Sequence, residues 1–106
     1  MDNARLISLL ELQKKRPEDP FFKYAIALEY ISLNKRDSAL DLFEGLINSN
    51  PDFLPNYYQY AKLLEEADPE KSKKIYAKGI QLALNTNDIK TMNELQSALN
   101  ILEEEY

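Results

Sequence analysis

The fold is decided by residues 19–51, which read DPFFKYAIALEYISLNKRDSALDLFEGLINSNP. Apolar residues recur every three or four positions in both halves of this stretch, and that spacing predicts two amphipathic helices. They are Phe22, Ile26, Ala27 and Tyr30 in the first half and Ala39, Leu42, Phe43, Leu46 and Ile47 in the second. Asn34 tolerates the left-handed conformation that ends a helix, and Asp37 or Ser38 can cap the next helix. The stretch therefore predicts a helical hairpin, which Pro51 ends.

Six positions of this hairpin have the residue types and the spacing of a known repeat. They are Ile26, Ala27, Tyr30, Ala39, Phe43 and Pro51. They resemble the tetratricopeptide repeat, a helix–turn–helix unit of 34 residues with the pattern W-x2-L-G-x2-Y…A-x3-F…P. Lys23 departs from the pattern, because the family usually has Trp there. The resemblance implies an all-α protein whose repeats form a short right-handed superhelical solenoid of about six helices.

A second unit with the same spacing follows Pro51. In its first helix, the residues that lie 34 positions after their counterparts are Tyr57, Tyr60, Ala61 and Leu64. In its second helix, Ser72 and Tyr76 are spaced as Ala39 and Phe43 are. Gly79 in the middle of that helix costs roughly 1 kcal/mol relative to Ala. A close approach by a neighbouring helix would explain this glycine, and chance is the alternative.

The repeat register divides the chain into four parts. The resemblance implies a half-repeat or cap over residues 1–17, repeats over 20–53 and 54–87, and a C-terminal capping helix over 88–106, within one domain over 1–106. Helices are predicted near residues 3–15, 20–33, 37–49, 54–66, 69–84 and 88–104. Met1 and the polar end at residues 103–106 favour a complete small protein, with one piece of a longer solenoid as the alternative.

The first and last helices are predicted from apolar stripes. In the first helix, Leu6, Leu9, Leu10 and Gln13 follow helical spacing, and Leu12 widens the apolar face. In the last helix, the stripe consists of Ile89, Met92, Leu95, Leu99 and Leu102. The last helix is expected to pack on the preceding hairpin, with a coiled-coil seam as the less favoured alternative. Side chains that can cap helices are Asp2 or Asn3 for the first, Asp19 for the second, Asp68 for the fifth and Asp88 for the last.

Composition excludes several classes of function. The chain has 106 residues, a net charge of −5 and neither Cys nor His. It thus has no thiol nucleophile, imidazole base or usual zinc site, so we expect no enzyme activity, no metal and no cofactor. An acidic chain lacks the basic stripe of a nucleic-acid binder, and no apolar run is long enough to span a membrane. The absence of Cys fits a reducing compartment, so we expect the protein in the cytoplasm.

The resemblance implies a function in binding. In this family the first helices of successive units line a concave groove in which extended peptides dock. The residues predicted to face that groove are Phe21, Tyr24, Leu28 and Ile31 on the second helix, Tyr58, Lys62 and Glu65 on the fourth, and Lys90, Asn93, Ser97 and Asn100 on the last. Those predicted to bind a partner are Phe21, Tyr24, Leu28, Ile31, Tyr58, Lys62, Lys90 and Asn93. Four apolar residues on one such face indicate either an interaction patch or part of the core. The sequence therefore predicts a protein–protein interaction module.

Two details of the partner follow from these residues. The apolar group on the second helix and the lysines beyond it predict a partner segment with an apolar anchor and an acidic residue. Some family members hold the C-terminal carboxylate of a chaperone tail with Lys, Asn and Arg side chains. Glu94 stands where the Arg is needed, which excludes that ligand. The alternative function is a structural homo-oligomer in which the apolar face of the second helix packs against another copy.

Overall fold

The computed structural model describes residues 3–105, and over this range it contains six α-helices and no strand. The helices are α1 (Ala4–Lys15), α2 (Pro20–Ser32), α3 (Arg36–Ser49), α4 (Pro55–Ala67), α5 (Pro69–Asn85) and α6 (Ile89–Glu105). Every predicted helix is present, and each of its ends lies within one residue of the predicted position. The prediction of an all-α helical repeat is therefore confirmed.

The chain forms two compact units. The N-terminal unit is Met1–Pro51 and contains α1 to α3, and the C-terminal unit is Asp52–Tyr106 and contains α4 to α6. The division follows the repeat register, because Pro51 ends the first hairpin. The arrangement of all repeats in one domain stays a prediction.

In the N-terminal unit, α2 packs against both α1 and α3. The carboxylate of Asp19 caps α2, since its Oδ1 accepts a hydrogen bond of 2.9 Å from the Phe21 amide. Asn34 ends the same helix with a φ of 61°, and the following amide of Lys35 donates to the Tyr30 carbonyl at 2.8 Å. The apolar side chains buried in this unit are Leu6, Ile26, Ala27, Ala39, Phe43 and Leu46. These observations confirm the predicted hairpin. Its core is confirmed in part, because four of the predicted apolar residues are only half-buried, namely Phe22, Tyr30, Leu42 and Ile47.

One prediction for the N-terminal unit was wrong, and two others were met only in part. Neither Asp37 nor Ser38 caps α3, because the helix already begins at Arg36 and no side chain caps it; Asp37 lies in its first turn. Asn3 makes no capping hydrogen bond to α1, and Asp2 lies outside the described residues. The predicted apolar stripe of α1 is mostly uncovered, with Leu6 alone buried and both Leu10 and Leu12 exposed. Because α1 packs mainly on α2, only one side of it is covered.

In the C-terminal unit, α5 packs against both α4 and α6. Asp68 ends α4 and also caps α5, since its Oδ1 accepts a hydrogen bond of 3.1 Å from the Lys71 amide. Asp88 accepts hydrogen bonds from the amide and the hydroxyl of Thr91, at 3.1 and 2.9 Å, and so caps the start of α6. The apolar side chains buried here are Tyr57, Tyr60, Ala61, Leu63, Leu64, Ile75, Tyr76, Ala83, Leu95, Ala98 and Leu102.

Gly79 of α5 lies close to residues of both α4 and α6. A Cβ atom added to it would lie 2.8 Å from the Cβ of Tyr57 on α4 and 3.0 Å from the Cδ1 of Leu95 on α6. The close-approach interpretation of this glycine is therefore confirmed. The predicted stripe of α6 packs on α5, as expected, except that its first member, Ile89, is exposed.

Candidate functional site

A cleft of about 530 Å³ opens between α4 and α6 of the C-terminal unit, and we call it the α4–α6 cleft. Its lining residues are Tyr58, Lys62 and Glu65 from α4 and Asn93, Glu94, Ser97, Ala98, Ile101, Leu102 and Glu105 from α6. Both helices also pack on α5, which holds them side by side. The cleft is thus part of the folded C-terminal unit itself.

The wall formed by α4 combines an aromatic ring with a charged pair. Tyr58, Lys62 and Glu65 follow one another at steps of four and three residues, so they share one face of the helix. The Tyr58 ring meets the Tyr76 ring edge to face, with centroids 6.2 Å apart. The Lys62 Nζ lies 3.7 Å from Glu65 Oε1. This wall offers a partner one aromatic ring and an ammonium group that is already paired.

Glu65 accepts a hydrogen bond from a side chain in the core of the unit. The buried Tyr76 hydroxyl donates a hydrogen bond of 2.6 Å to Glu65 Oε2. Burial, and then the bond to Glu65, raise the pKa of Tyr76 far above its ordinary value of 10.0. The hydroxyl therefore stays protonated and keeps donating at any physiological pH. The carboxylate of Glu65 is fixed in direction by this bond on one oxygen and by Lys62 on the other.

The wall formed by α6 has acidic ends and an apolar centre. Glu94, Ala98, Ile101 and Glu105 are separated by steps of four, three and four residues, and so lie along one face. Ile101 is 60% exposed, more than any other large apolar side chain among residues 3–105, whereas its neighbour Leu102 is 1% exposed. An exposed isoleucine in a concave site is a ready contact for an apolar side chain of a partner.

The structure brings together three of the eight residues predicted to bind a partner. Tyr58, Lys62 and Asn93 line the α4–α6 cleft, whereas Lys90 is exposed on α6 outside that lining. The remaining four lie on α2 in the N-terminal unit. Of these, Phe21 is 53% exposed, and the half-buried ones are Tyr24, Leu28 and Ile31.

Sequence reasoning missed the acidic ends and the exposed isoleucine of the α6 wall. Glu94, Ile101 and Glu105 were not predicted to bind a partner, although each lines the cleft. The face of α6 that opens toward α4 includes positions next to the buried stripe, as well as positions opposite to it. One signal was present, because Ile101 is a large apolar residue outside the stripe that ends at Leu102.

A second, smaller pocket lies in the N-terminal unit. It has a volume of about 320 Å³. The residues that line it are Leu10, Gln13, Lys23, Ile26, Tyr30, Ser38, Asp41 and Leu42. Lys23 occupies the position at which the C-terminal unit has the buried aromatic Tyr57, 34 residues later. A flexible lysine in place of that ring is consistent with open space at this point.

Two further observations concern other kinds of site. Among residues 3–105, no group of three or more Asp or Glu side chains is arranged to hold a metal ion. None of the helices in the same range is both long and apolar enough to cross a membrane.

Comparison with solved structures gives two relatives from Salinibacter ruber. A tetratricopeptide repeat domain protein solved by NMR shares 38% identity over 83% of this chain and 90% of its own, with a TM-score of 0.79. A crystal structure of a tetratricopeptide repeat domain protein from the same organism shares 37% identity over 81% of this chain and 97% of its own, with a TM-score of 0.77.

A third solved structure shares the fold at lower identity. It is a protein from Bordetella parapertussis with 19% identity over 99% of this chain and 91% of its own, and a TM-score of 0.81. No family model and no curated protein matches the sequence.

Proposed function

Because the chain belongs to the tetratricopeptide repeat family, we propose that it is a non-catalytic interaction module that binds a protein or peptide segment in the α4–α6 cleft. The observation that carries this proposal is the cleft itself, where the exposed Ile101 of α6 lines the space between two helices that both pack on α5. Concave sites with an apolar centre and a polar rim are where proteins commonly bind ligands. The fold alone would not identify the site.

The chemistry of the cleft favours a polypeptide partner over nucleic acid. Glu65, Glu94 and Glu105 line it, and these carboxylates would repel the phosphates of a nucleic acid. Side chains and backbone amides of a peptide can instead pair with Asn93 and Ser97. The cytoplasm remains the expected compartment from the sequence.

The α2 face of the N-terminal unit is a second proposed contact surface. Its members are Phe21, Tyr24, Leu28 and Ile31. Phe21 is 53% exposed and meets Phe22 edge to face, with centroids 5.7 Å apart, so it offers a partner an exposed aromatic ring. Lys90, exposed on α6, would act at the rim of the C-terminal unit through the association rate.

The exposure of Phe21 also supports the alternative proposal, a structural homo-oligomer formed through α2. Size-exclusion chromatography with light scattering distinguishes the two. If the α2 face joins two copies, the wild type elutes as a dimer and the double variant Tyr24→Ala, Leu28→Ser as a folded monomer. A monomeric wild type at high protein concentration would contradict self-association through this face.

The proposed binding site is tested by photo-crosslinking in the source cells. A photoreactive phenylalanine analogue is placed at Ile101 in the cleft and, as a control, at Leu84, which is 46% exposed on α5 outside the cleft lining. The proposal predicts a discrete protein adduct at position 101 that is absent at position 84. Equal labelling at both positions, or none at position 101, would contradict it.

A further inference from the structure

We infer that the α4–α6 cleft selects an extended segment with two basic residues about five positions apart and an apolar residue between them. This inference rests on the proposed function and specifies the partner's chemistry. It replaces the acidic partner expected from the sequence.

The charges of the cleft point to a basic partner. Three carboxylates line it, from Glu65, Glu94 and Glu105, against the single ammonium group of Lys62. That ammonium is paired with Glu65. Among residues 3–105, neither Glu94 nor Glu105 forms an ion pair, although Lys90 lies one turn before Glu94. Two carboxylates at the edges of the cleft are thus available to a cationic side chain.

The last turn of α6 adds to this negative field. It contains Glu103, Glu104 and Glu105 and no basic residue. The C-terminal end of a helix carries a partial negative charge, so three carboxylates there are unfavourable for the isolated helix. A partner cation next to Glu105 would relieve this repulsion. Residues that violate a local rule of helix stability are expected where a protein has a function.

The spacing of the acidic ends sets the spacing of the partner's basic residues. Glu94 and Glu105 are 11 residues apart on one face of α6. At a rise of 1.5 Å per residue they lie about 16 Å apart along the helix. An extended chain covers that distance in about five residues, at roughly 3.3 Å each. Ile101 and Ala98 lie between them, so an apolar residue near the middle of the segment would meet Ile101.

The experiment is a selection of peptides from a random 12-residue display library on the purified protein. Parallel selections use Glu94→Gln, Glu105→Gln as the test variant and Glu11→Gln, Glu18→Gln as the control. The control makes the same change in net charge at exposed positions that do not line the cleft. Ile101→Ser reports whether a selected peptide occupies the cleft at all.

The inference predicts peptides with two Arg or Lys residues about five positions apart around an apolar residue. Their dissociation constants at low salt should be about three- to ten-fold weaker for the test variant and unchanged for the control, as expected for two exposed ion pairs. At high salt the difference should shrink. Peptides that are neutral or acidic yet need Ile101 would overturn the inference and leave the proposed function intact. Basic peptides whose affinity is unchanged by Ile101→Ser, or the absence of any enriched peptide, would overturn both the inference and the proposed function.

Discussion

The α2–α3 and α4–α5 hairpins follow one repeat pattern but are held together differently. In α2–α3, the positions where the helices cross are Ala27, Ala39 and Phe43, all fully buried. In α4–α5, the corresponding positions are Ala61, Ser72 and Tyr76. The Ser72 Oγ donates to the Ala61 carbonyl at 2.6 Å, and the Tyr76 hydroxyl donates to Glu65. Apolar side chains thus fill the helix crossing of the α2–α3 hairpin, whereas two hydrogen bonds join the helices of the α4–α5 hairpin.

The turn between the helices explains a second difference. The α2–α3 turn uses Asn34 in the left-handed conformation, whereas in α4–α5 the single residue Asp68 ends one helix and caps the next. The shorter turn moves the register of α5 by one residue, or about 100° around the helix. Gly45 and Gly79 are 34 residues apart, yet Gly45 is exposed and Gly79 is buried against Tyr57. With this shift, Gly79 corresponds to the buried Leu46 of α3, and the glycine leaves room for Tyr57, where the N-terminal unit has Lys23.

Two substitutions are expected to have the largest effect on the free energy of unfolding. They test whether the core of each unit depends on the large aromatic residue at its helix crossing, Phe43 or Tyr76. Phe43→Ala should lower the free energy of unfolding by about 3–5 kcal/mol, since the side chain is fully buried. Tyr76→Ala should cost a similar amount, because it also leaves Glu65 without its buried donor. Chemical denaturation followed by circular dichroism gives both values. An unchanged midpoint for Phe43→Ala would contradict its place in the core.

Replacing each of the two glycines with alanine is expected to have the next largest effect, and to change stability in opposite directions. Gly79→Ala should destabilise the protein by about 1–3 kcal/mol, because the new Cβ would overlap Tyr57. Gly45→Ala should stabilise it by roughly 0.5–1 kcal/mol, since nothing lies within 4 Å of its added Cβ and alanine favours the helix. Thermal unfolding of the two variants measures the contrast. The same sign for both would contradict the assigned register.

Converting the polar crossing into the apolar one is expected to have a smaller effect. Ser72→Ala and Tyr76→Phe each replace a residue with its counterpart in the α2–α3 hairpin. Each should cost about 1 kcal/mol, the net contribution of one hydrogen bond. Denaturation of the single and double variants would show this, and a gain in stability for both would mean that the hydrogen bonds do not stabilise the crossing.

The raised pKa of Tyr76 predicts that the stability of the protein depends on pH in the alkaline range. Its pKa in the folded protein is raised above the ordinary 10.0, so the folded state keeps a proton that the unfolded state loses. The free energy of unfolding should therefore fall as the pH rises above about 10. In Tyr76→Phe this fall should be smaller, and the remainder includes Tyr57, whose pKa burial also raises. Identical alkaline profiles would contradict this role of Tyr76.

The smallest expected effect concerns the pocket of the N-terminal unit. Lys23→Tyr introduces the aromatic residue that the C-terminal unit has at the same position, next to the apolar side chains of Ile26 and Leu42. Partial burial of the ring should stabilise the protein by about 1 kcal/mol. Lys35→Tyr is the control, since Lys35 is exposed and does not line the pocket. Equal melting temperatures for the two variants would mean that the pocket does not accept the ring.

The helices could be predicted from the sequence because their signals are local. Asp19, Asp68 and Asp88 precede their helices by one residue, and Asn34 marks the turn whatever packs around it. Gly79 was also informative, since its cost within a helix indicated a neighbour at close range. These signals depend on residues that are near one another in the chain.

The site was less predictable because it depends on how helices are rotated against one another. Asn93 was found, but Glu94, Ile101 and Glu105 were missed, since the sequence alone does not give the rotation of α6 on α5. The acidic partner expected from the sequence and the basic partner inferred from the cleft differ for a related reason. Lys62 was counted as available, whereas it pairs with Glu65 at 3.7 Å. Its neighbour Glu65 also accepts a bond from the next helix, which no local pattern reveals.

The most direct test of the account is an NMR titration with the tightest-binding peptide from the selection. The account predicts that the amide signals that shift belong to the α4–α6 cleft, with Tyr58, Ile101 and Glu105 among them. Signals of the pocket in the N-terminal unit, such as those of Lys23 and Asp41, should stay unchanged. Shifts confined to that pocket, with the cleft unaffected, would contradict the central claim that the C-terminal unit holds the partner.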